Sequence, residues 1–325
     1  MAQAPDATSA LRIGIEIAQS ATRVMVIVAP DPSARRWQAR FTAPAAPGEL
    51  VTELGALIAR VRADLSRPDD GDALAVGVAF WGDVDVERGV VLDKRLGPGW
   101  PGFPLTARLG EALHAPVRLE TGTAAAALAE WRQGAGQGRR MLLYVHNGRA
   151  ITSAVVADGT LLRGAAGAGG MLGHMRIAPD GARCACGGRG HLDPVASAQA
   201  LVRAMIGRAA DSDASTAAML AISGGRAEAM TAAQVVTLAA RGDAIAADIV
   251  GEASAALALA LASVAAVLGP DHIVIGGPLV EAGEAFFAPL NARFAALVET
   301  YQTPALIVPG ALEPRAALLG AIGLA

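Results

Sequence analysis

The sequence predicts an α/β protein of two related lobes with a cleft between them, and three observations carry that expectation. Strand-like and helix-like stretches alternate along the chain. The alternation runs through two cycles, the second starting at Met141. The composition provides a core: of 325 residues, 53% are hydrophobic and 18% charged. Aromatics reach only 4%, so Ala, Val, Leu and Gly do the packing. The length suits one large domain or two medium ones.

In the first cycle, Ile13, Ile15 and Ile17 alternate with Gly14 and Glu16, and Val24, Val26 and Val28 alternate again after Ser20-Ala21, which reads as two strands joined by a tight turn. Leu50, Leu54, Leu57, Ile58 and Val61 fall on one face of a helix over Gly48 to Leu65. Leu74 to Phe80 is a buried strand, and Val84 to Val91 a further strand region. Leu105 to Leu113 is a helix ending before His114-Ala115-Pro116, Val117 to Leu119 a short strand, and Thr123 to Gln133 an alanine-rich helix. In the second cycle, Leu142 to Val145 and Ile151 to Val156 pair as strands. From Val195 the chain is mainly helical, with a long helix over Glu252 to Leu268 stopped by Gly269-Pro270. His272 to Ile275 and Ala305 to Val308 are the last strands, and Pro314 to Leu324 a closing helix. The expected division is a short disordered segment 1–10, a small lobe of 11–120 with 313–325, and a larger lobe of 121–312.

Both cysteines of the chain, Cys184 and Cys186, lie in a glycine-rich stretch between His174 and His191. Two thiolates and two imidazoles make a closed tetrahedral set suited to Zn²⁺, and four protein ligands leave no open position for a catalytic water. The site is therefore expected to be structural. Paired cysteines also serve as small buried hydrophobes, while the Cys-x-Cys spacing departs from the Cys-x-x-Cys of redox pairs.

The net charge of −3 gives no electrostatic case for nucleic-acid binding. The first ten residues lack the basic and apolar regions of a signal peptide. Ala255 to Leu268, the most apolar stretch, reads as too short and too rich in small residues to span a membrane. Reduced cysteines and no export signal point to the cytoplasm.

The ordered motifs resemble the ROK family of repressors, open reading frames and sugar kinases over nearly the whole chain. The most specific is His174 followed by Cys184-Ala185-Cys186-Gly187-Gly188-Arg189-Gly190-His191-Leu192-Asp193, with His191 at the family's third cysteine and Asp193 at its glutamate. Gly82-Asp83-Val84-Asp85, Gly99-Trp100, Ala125 to Glu130, Asp158-Gly159, Pro270 to Gly277 and Leu319-Gly320-Ala321 follow family spacing. The resemblance implies a two-lobed actin-like ATPase fold of ribonuclease-H type, with the zinc loop 174–191 in the larger lobe. It also implies nucleotide positions at Glu16, Gly148, Gly276 and Gly277, and sugar positions at Trp100, His174 and Asp193.

A kinase of this family needs a carboxylate base, glycine turns for phosphate and polar groups for sugar. The base position reads Gly122, with Glu120 the nearest substitute; the first phosphate loop reads Glu16-Ile17-Ala18-Gln19-Ser20-Ala21 and the second Gly148 to Ala154 with one glycine of four; the sugar glutamate reads Met171. Trp81 stands at a family proline, either closing the cleft or packing. From these departures the sequence is expected to encode a non-catalytic, carbohydrate-sensing or regulatory homodimer without a DNA-binding domain, since only Met1 to Leu11 precede the first strand. The alternative is an ATP-dependent hexose or N-acetylhexosamine kinase with a degenerate site, for which ATP and Mg²⁺ are doubtful ligands.

Overall fold

The computed structural model describes residues 11–18, 21–28, 37–41, 46–64, 74–167, 169–301 and 305–325. The expected disordered segment 1–10 and the turn residues Gln19 and Ser20 lie outside the described residues.

Contacts divide the chain into two compact units, one running to Ala129 and taking in Arg315–Ala325, the other spanning Glu130–Pro314. The break falls inside a helix, where the sequence expectation put it between 120 and 121. The first unit holds β1 (Leu11–Ala18), β2 (Ala21–Val28), β3 (Trp37–Phe41), α1 (Pro47–Asp64), β4 (Leu74–Phe80), the small hairpin β5 (Val84–Asp85) and β6 (Val90–Val91), α2 (Leu105–Leu113), β7 (Val117–Thr121) and the start of α3 (Gly122–Gln133). Its sheet runs β3-β2-β1-β4-β7, with β1 antiparallel to β2, β2 antiparallel to β3, and β1, β4 and β7 parallel.

The second unit repeats this order. It contains β8 (Met141–Asn147), β9 (Ile151–Ala157), β10 (Thr160–Leu161), α4 (Asp193–Ala196), α5 (Ala198–Ala209), α6 (Asp213–Ile222), α7 (Ala232–Ala240), α8 (Ala244–Leu268), β11 (His272–Gly276), α9 (Glu284–Val298) and β12 (Leu306–Pro309). Its sheet runs β10-β9-β8-β11-β12, again with two antiparallel joints followed by two parallel ones. The two expected α/β lobes are thus two copies of one sheet topology. The C-terminal helix α10 (Ala316–Leu324) returns to the first unit.

β1 illustrates how sequence becomes packing. Ile13, Ile15 and Ile17 belong to a core shared with Leu50, Leu54, Leu57 and Leu109 from α1 and α2. The intervening Gly14 is also buried, because α10 covers the other face. Gly14 pairs with Gly77 in register. A Cβ at Gly77 would strike the Ala321 carbonyl of α10, and one at Gly14 would stand 2.9 Å from the Leu318 oxygen. The two glycines let a helix lie directly on the sheet.

The long apolar helix α8 begins at Ala244, eight residues before the expected start, where Asp243 caps it by accepting from Ala246 N at 2.8 Å. Gly269, at φ 56°, closes it. At 25 residues α8 is long and apolar enough to cross a membrane, which corrects the expectation of a stretch too short. It packs against α5, α7 and α9, with Leu257, Ala258 and Leu261 in the core of the second unit.

Candidate functional site

Parallel strands carry ligand-binding residues at their C-terminal ends, and in each unit three parallel strands end together. In the first unit, Glu16 on β1, Ala79 on β4 and Glu120 on β7 are side by side in register. Both carboxylates are buried, Glu16 at 1% exposure and Glu120 at 3%. Glu120 folds back on its own chain, its Oε1 accepting from Thr121 N at 2.9 Å. The Thr121 hydroxyl accepts from Ala124 N at 3.2 Å and starts α3, so Gly122 opens a helix directly after the strand. The carboxylate of Glu120 thus sits at a helix N-terminus, whose dipole favours negative charge. Glu16 Oε1 accepts from the indole Nε1 of Trp81 at 2.8 Å. Within this unit the Trp81 ring also lies against Gly122.

Trp100, expected to contact sugar, lies in the core of the first unit at 4% exposure, its ring centroid 6.0 Å from Phe80 and 6.5 Å from Phe103. Its ring meets Phe80 at a tilt of 51° and Phe103 edge-on at 61°.

In the second unit the ends of β8 and β11 bring Gly148, Gly276 and Gly277 to one rim. A Cβ at Gly148 would stand 2.6 Å from His146 Nε2, and one at Gly277 would stand 2.5 Å from the Asn147 oxygen and 3.2 Å from His146 Cε1. His146 therefore lies between the two glycine turns, and its burial lowers its pKa to about 4, leaving a neutral imidazole at pH 7. Asn147, fully buried, donates to Ala196 O at 3.0 Å and accepts from Ala198 N at 2.8 Å, tying the strand end to α4 and α5. Glu313 accepts from both the Tyr144 hydroxyl at 2.7 Å and Gly277 N at 3.0 Å. Glu130 is fully buried and accepts from Ala135 N at 2.8 Å, Leu312 N at 2.8 Å and Ala311 N at 3.2 Å, anchoring the segment after β12; burial pushes its carboxyl up against the pull of these three donors. In the sequence Glu130 is only one residue of a motif; two of its three backbone partners, Ala311 and Leu312, lie at the far end of the chain.

The four expected metal ligands come together. One donor atom each from His174, Cys184, Cys186 and His191 lies within 4.8 Å of all the others. Cys184 Sγ is 3.7 Å from His174 Nδ1 and Cys186 Sγ is 3.4 Å from His191 Nδ1. Tetrahedral neighbours around zinc, at about 2.3 Å from sulfur and about 2.0–2.1 Å from nitrogen, stand about 3.6 Å apart, so the donor set fits the ion. The glycines shape this loop. Gly187 has φ 92°; Gly190 has φ 71° and a Cβ there would strike the Ala178 carbonyl; a Cβ at Gly188 would stand 2.5 Å from the His191 ring. Burial and the neighbouring Cys186 and Asp193 push the Cys184 thiol up, a cost that a bound cation offsets. Asp193, expected at a sugar position, accepts from Ile151 N at 2.7 Å and fastens the loop to the start of β9.

This doubled sheet with a His/Cys cluster in its second unit is the two-lobed actin-like ATPase architecture. The chain belongs to the ROK family, whose profile matches residues 12–325. It is 33% identical over 274 residues to the glucokinase of Thermotoga maritima, covering 82% of this chain and 84% of that one. It is 32% identical over 250 residues to the glucokinase of Halalkalibacterium halodurans, covering 77% and 73%. Among solved structures, a ROK family glucokinase from Streptomyces griseus in complex with glucose and AMPPNP is similar with a TM-score of 0.78 and 27% identity, over 97% of this chain and 99% of that one. These relatives overturn the expectation of a non-catalytic, regulatory protein and of no enzymatic activity: a likeness that spans most of both chains is a likeness to sugar kinases.

Proposed function

We propose that this chain is an ATP-dependent kinase of a hexose or N-acetylhexosamine. The observation that carries the reading is the 32–33% identity to two glucokinases over three quarters or more of the chain. The transfer it implies is simple in its balance. A sugar hydroxyl oxygen bonds to the γ-phosphorus, the bond from that phosphorus to the ADP oxygen breaks, and the hydroxyl proton passes to a carboxylate or to water. Such transfer has a loose transition state in which positioning and charge stabilisation do most of the catalytic work. Glycine at 122 in place of a base therefore lowers the rate, by roughly 10²–10⁴-fold, without removing the reaction. Buried carboxylates at the strand ends of the first unit, Glu16 and Glu120, support the same reading, as do Gly148, Gly276 and Gly277 for nucleotide.

The cluster of His174, Cys184, Cys186 and His191 holds a structural zinc in this reading, supported by its donor spacing. Bound there, zinc would cross-link the loop between β10 and α4. Nδ1 of His174 faces the cluster, which leaves Nε2 for a sugar hydroxyl.

The test is ADP release coupled to a reporter, with Mg-ATP and glucose, N-acetylglucosamine, N-acetylmannosamine, fructose or allose as acceptor. Saturable turnover on at least one sugar is expected, below ordinary kinase rates. No sugar-dependent ADP release at micromolar enzyme would overturn the proposal.

A further inference from the structure

Three departures from the kinase pattern, at positions 16, 81 and 122, look like separate losses in the sequence. In the first unit they touch. Trp81 follows β4, and its backbone N–H donates to Ile17 O at 2.8 Å, which carries the pairing with β1 one residue past the end of β4. From there its indole reaches both ways. Its Nε1 donates to Glu16 Oε1 at 2.8 Å. Its fused edge covers Gly122: a Cβ at that position would stand 2.5 Å from Cε2 and 2.8 Å from Cε3. Non-bonded carbon atoms do not approach so closely, and a fused ring cannot bend aside as the end of a flexible chain can. The backbone does not itself demand glycine, because Gly122 is not among the positive-φ glycines. Two contacts and a single ring bond separate the Cβ place at 122 from the Glu16 carboxylate.

We propose that Trp81 is a positioning residue for the Glu16 carboxylate, and that its indole and a side chain at position 122 are alternative occupants of one place. The indole N–H gives the buried carboxylate a charge-assisted partner, and the same ring excludes any residue but glycine at the head of α3. The three departures are then linked: the indole that excludes a side chain at 122 also fixes the carboxylate at 16. In the kinase reading, on which the kinetic half of this inference rests, Glu16 is the carboxylate that this rim presents in a fixed place, since Glu120 is turned back onto Thr121 N.

The experiment uses the full chain and two double-mutant cycles, each read first by thermal unfolding. Gly122→Ala is expected to lower Tm by several degrees in the wild-type background, as overpacking of a buried site does, and to change it little in a Trp81→Ala background. Trp81→Phe and Glu16→Gln are expected to be non-additive, the double variant unfolding near the worse single one. The kinetic readout is a split: Trp81→Phe lowers kcat tenfold or more with the sugar KM unchanged, and adds nothing in a Glu16→Gln background. An equal Tm cost of Gly122→Ala in both backgrounds, or additive effects of Trp81→Phe and Glu16→Gln, would overturn the proposal. Absence of turnover in every variant, wild type included, would count against the kinase reading alone and leave the thermal cycles to decide this one.

Discussion

His146 makes a contribution to the pH dependence of stability whose size follows from the structure. The imidazole lies between Gly148 and Gly277, with Nδ1 fully enclosed although part of the ring remains at the surface. Burial penalises the charged form and lowers the pKa from 6.5 to about 4. Below pH 6.5 the unfolded chain takes up a proton that the native protein refuses, so the stability present above the unfolded pKa is lost as pH falls toward the folded one. At about 1.4 kcal/mol per pKa unit, the loss between pH 7.5 and pH 4.5 is about 2.5 kcal/mol, an upper figure for a ring with some exposed surface. Urea unfolding at the two pH values, for wild type and His146→Gln, isolates it. The wild type is expected to lose about 2 kcal/mol more than the variant on acidification. The histidine Cε1 proton resonances supply the direct check, one of the five titrating near pH 4. Equal losses in wild type and variant, together with no resonance titrating below pH 5, would refute the assignment.

Three further outcomes follow from the packing and the donor sets. Gly77→Ala drives a methyl into the Ala321 carbonyl of α10 and should cost about 1–3 kcal/mol; a Tm within a degree of wild type would mean that α10 is not seated on the sheet. Purified protein should carry about one zinc per chain, and Cys184→Ser should lose the metal and unfold at lower temperature, measured by elemental analysis and calorimetry; wild type free of zinc after purification without chelator would remove the assignment. Glu130→Gln turns an acceptor of three backbone N–H groups into a side chain with one oxygen and an opposing NH₂, at about 1.5–3 kcal/mol for each charged hydrogen bond lost. Chemical denaturation measures it, and a loss under 1 kcal/mol would contradict the geometry.

The α/β class and most elements are legible because the hydrophobic periodicity is strong: the helix expected over Leu105 to Leu113 has its observed bounds, and the strands of both cycles fall within a few residues of their places. The metal set was legible for a different reason. Its four ligands fall within one short glycine-rich stretch, so local chain geometry alone could bring them together. Other features depend on contacts between distant segments. Gly14 and Gly77 are recognisable as a seat for a helix only when β1, β4 and α10 are side by side. The start of α8 is marked by the Asp243 cap, ahead of the helical face formed by Ala246, Ile249, Val250 and Ala253. β10 is a two-residue edge strand with little apolar signal of its own, set by pairing with β9.

The error about activity has a physical origin as well. Counting departures at 16, 81, 122, 148–154 and 171 treats each as an independent loss, and independent losses multiply. Residues in contact do not behave independently, and Trp81 touches both Glu16 and the place a side chain at 122 would fill. A base at 122 is worth roughly 10²–10⁴ in rate, part but not all of the 10⁶-fold or more by which enzymes exceed the uncatalysed reaction. Phosphoryl transfer draws most of that acceleration from holding two substrates in line and stabilising charge on the moving phosphoryl group. Those functions belong to the scaffold: two sheets that each end three parallel strands at one rim, fixed by Glu120 on Thr121, Asn147 on α4 and α5, and Glu130 on the segment after β12. A chain that kept this framework, lost a carboxylate at 122 and fixed the one at 16 by an indole would read as inactive from its motifs alone. In the proposed kinase reading, its kcat would depend on the carboxylate at Glu16.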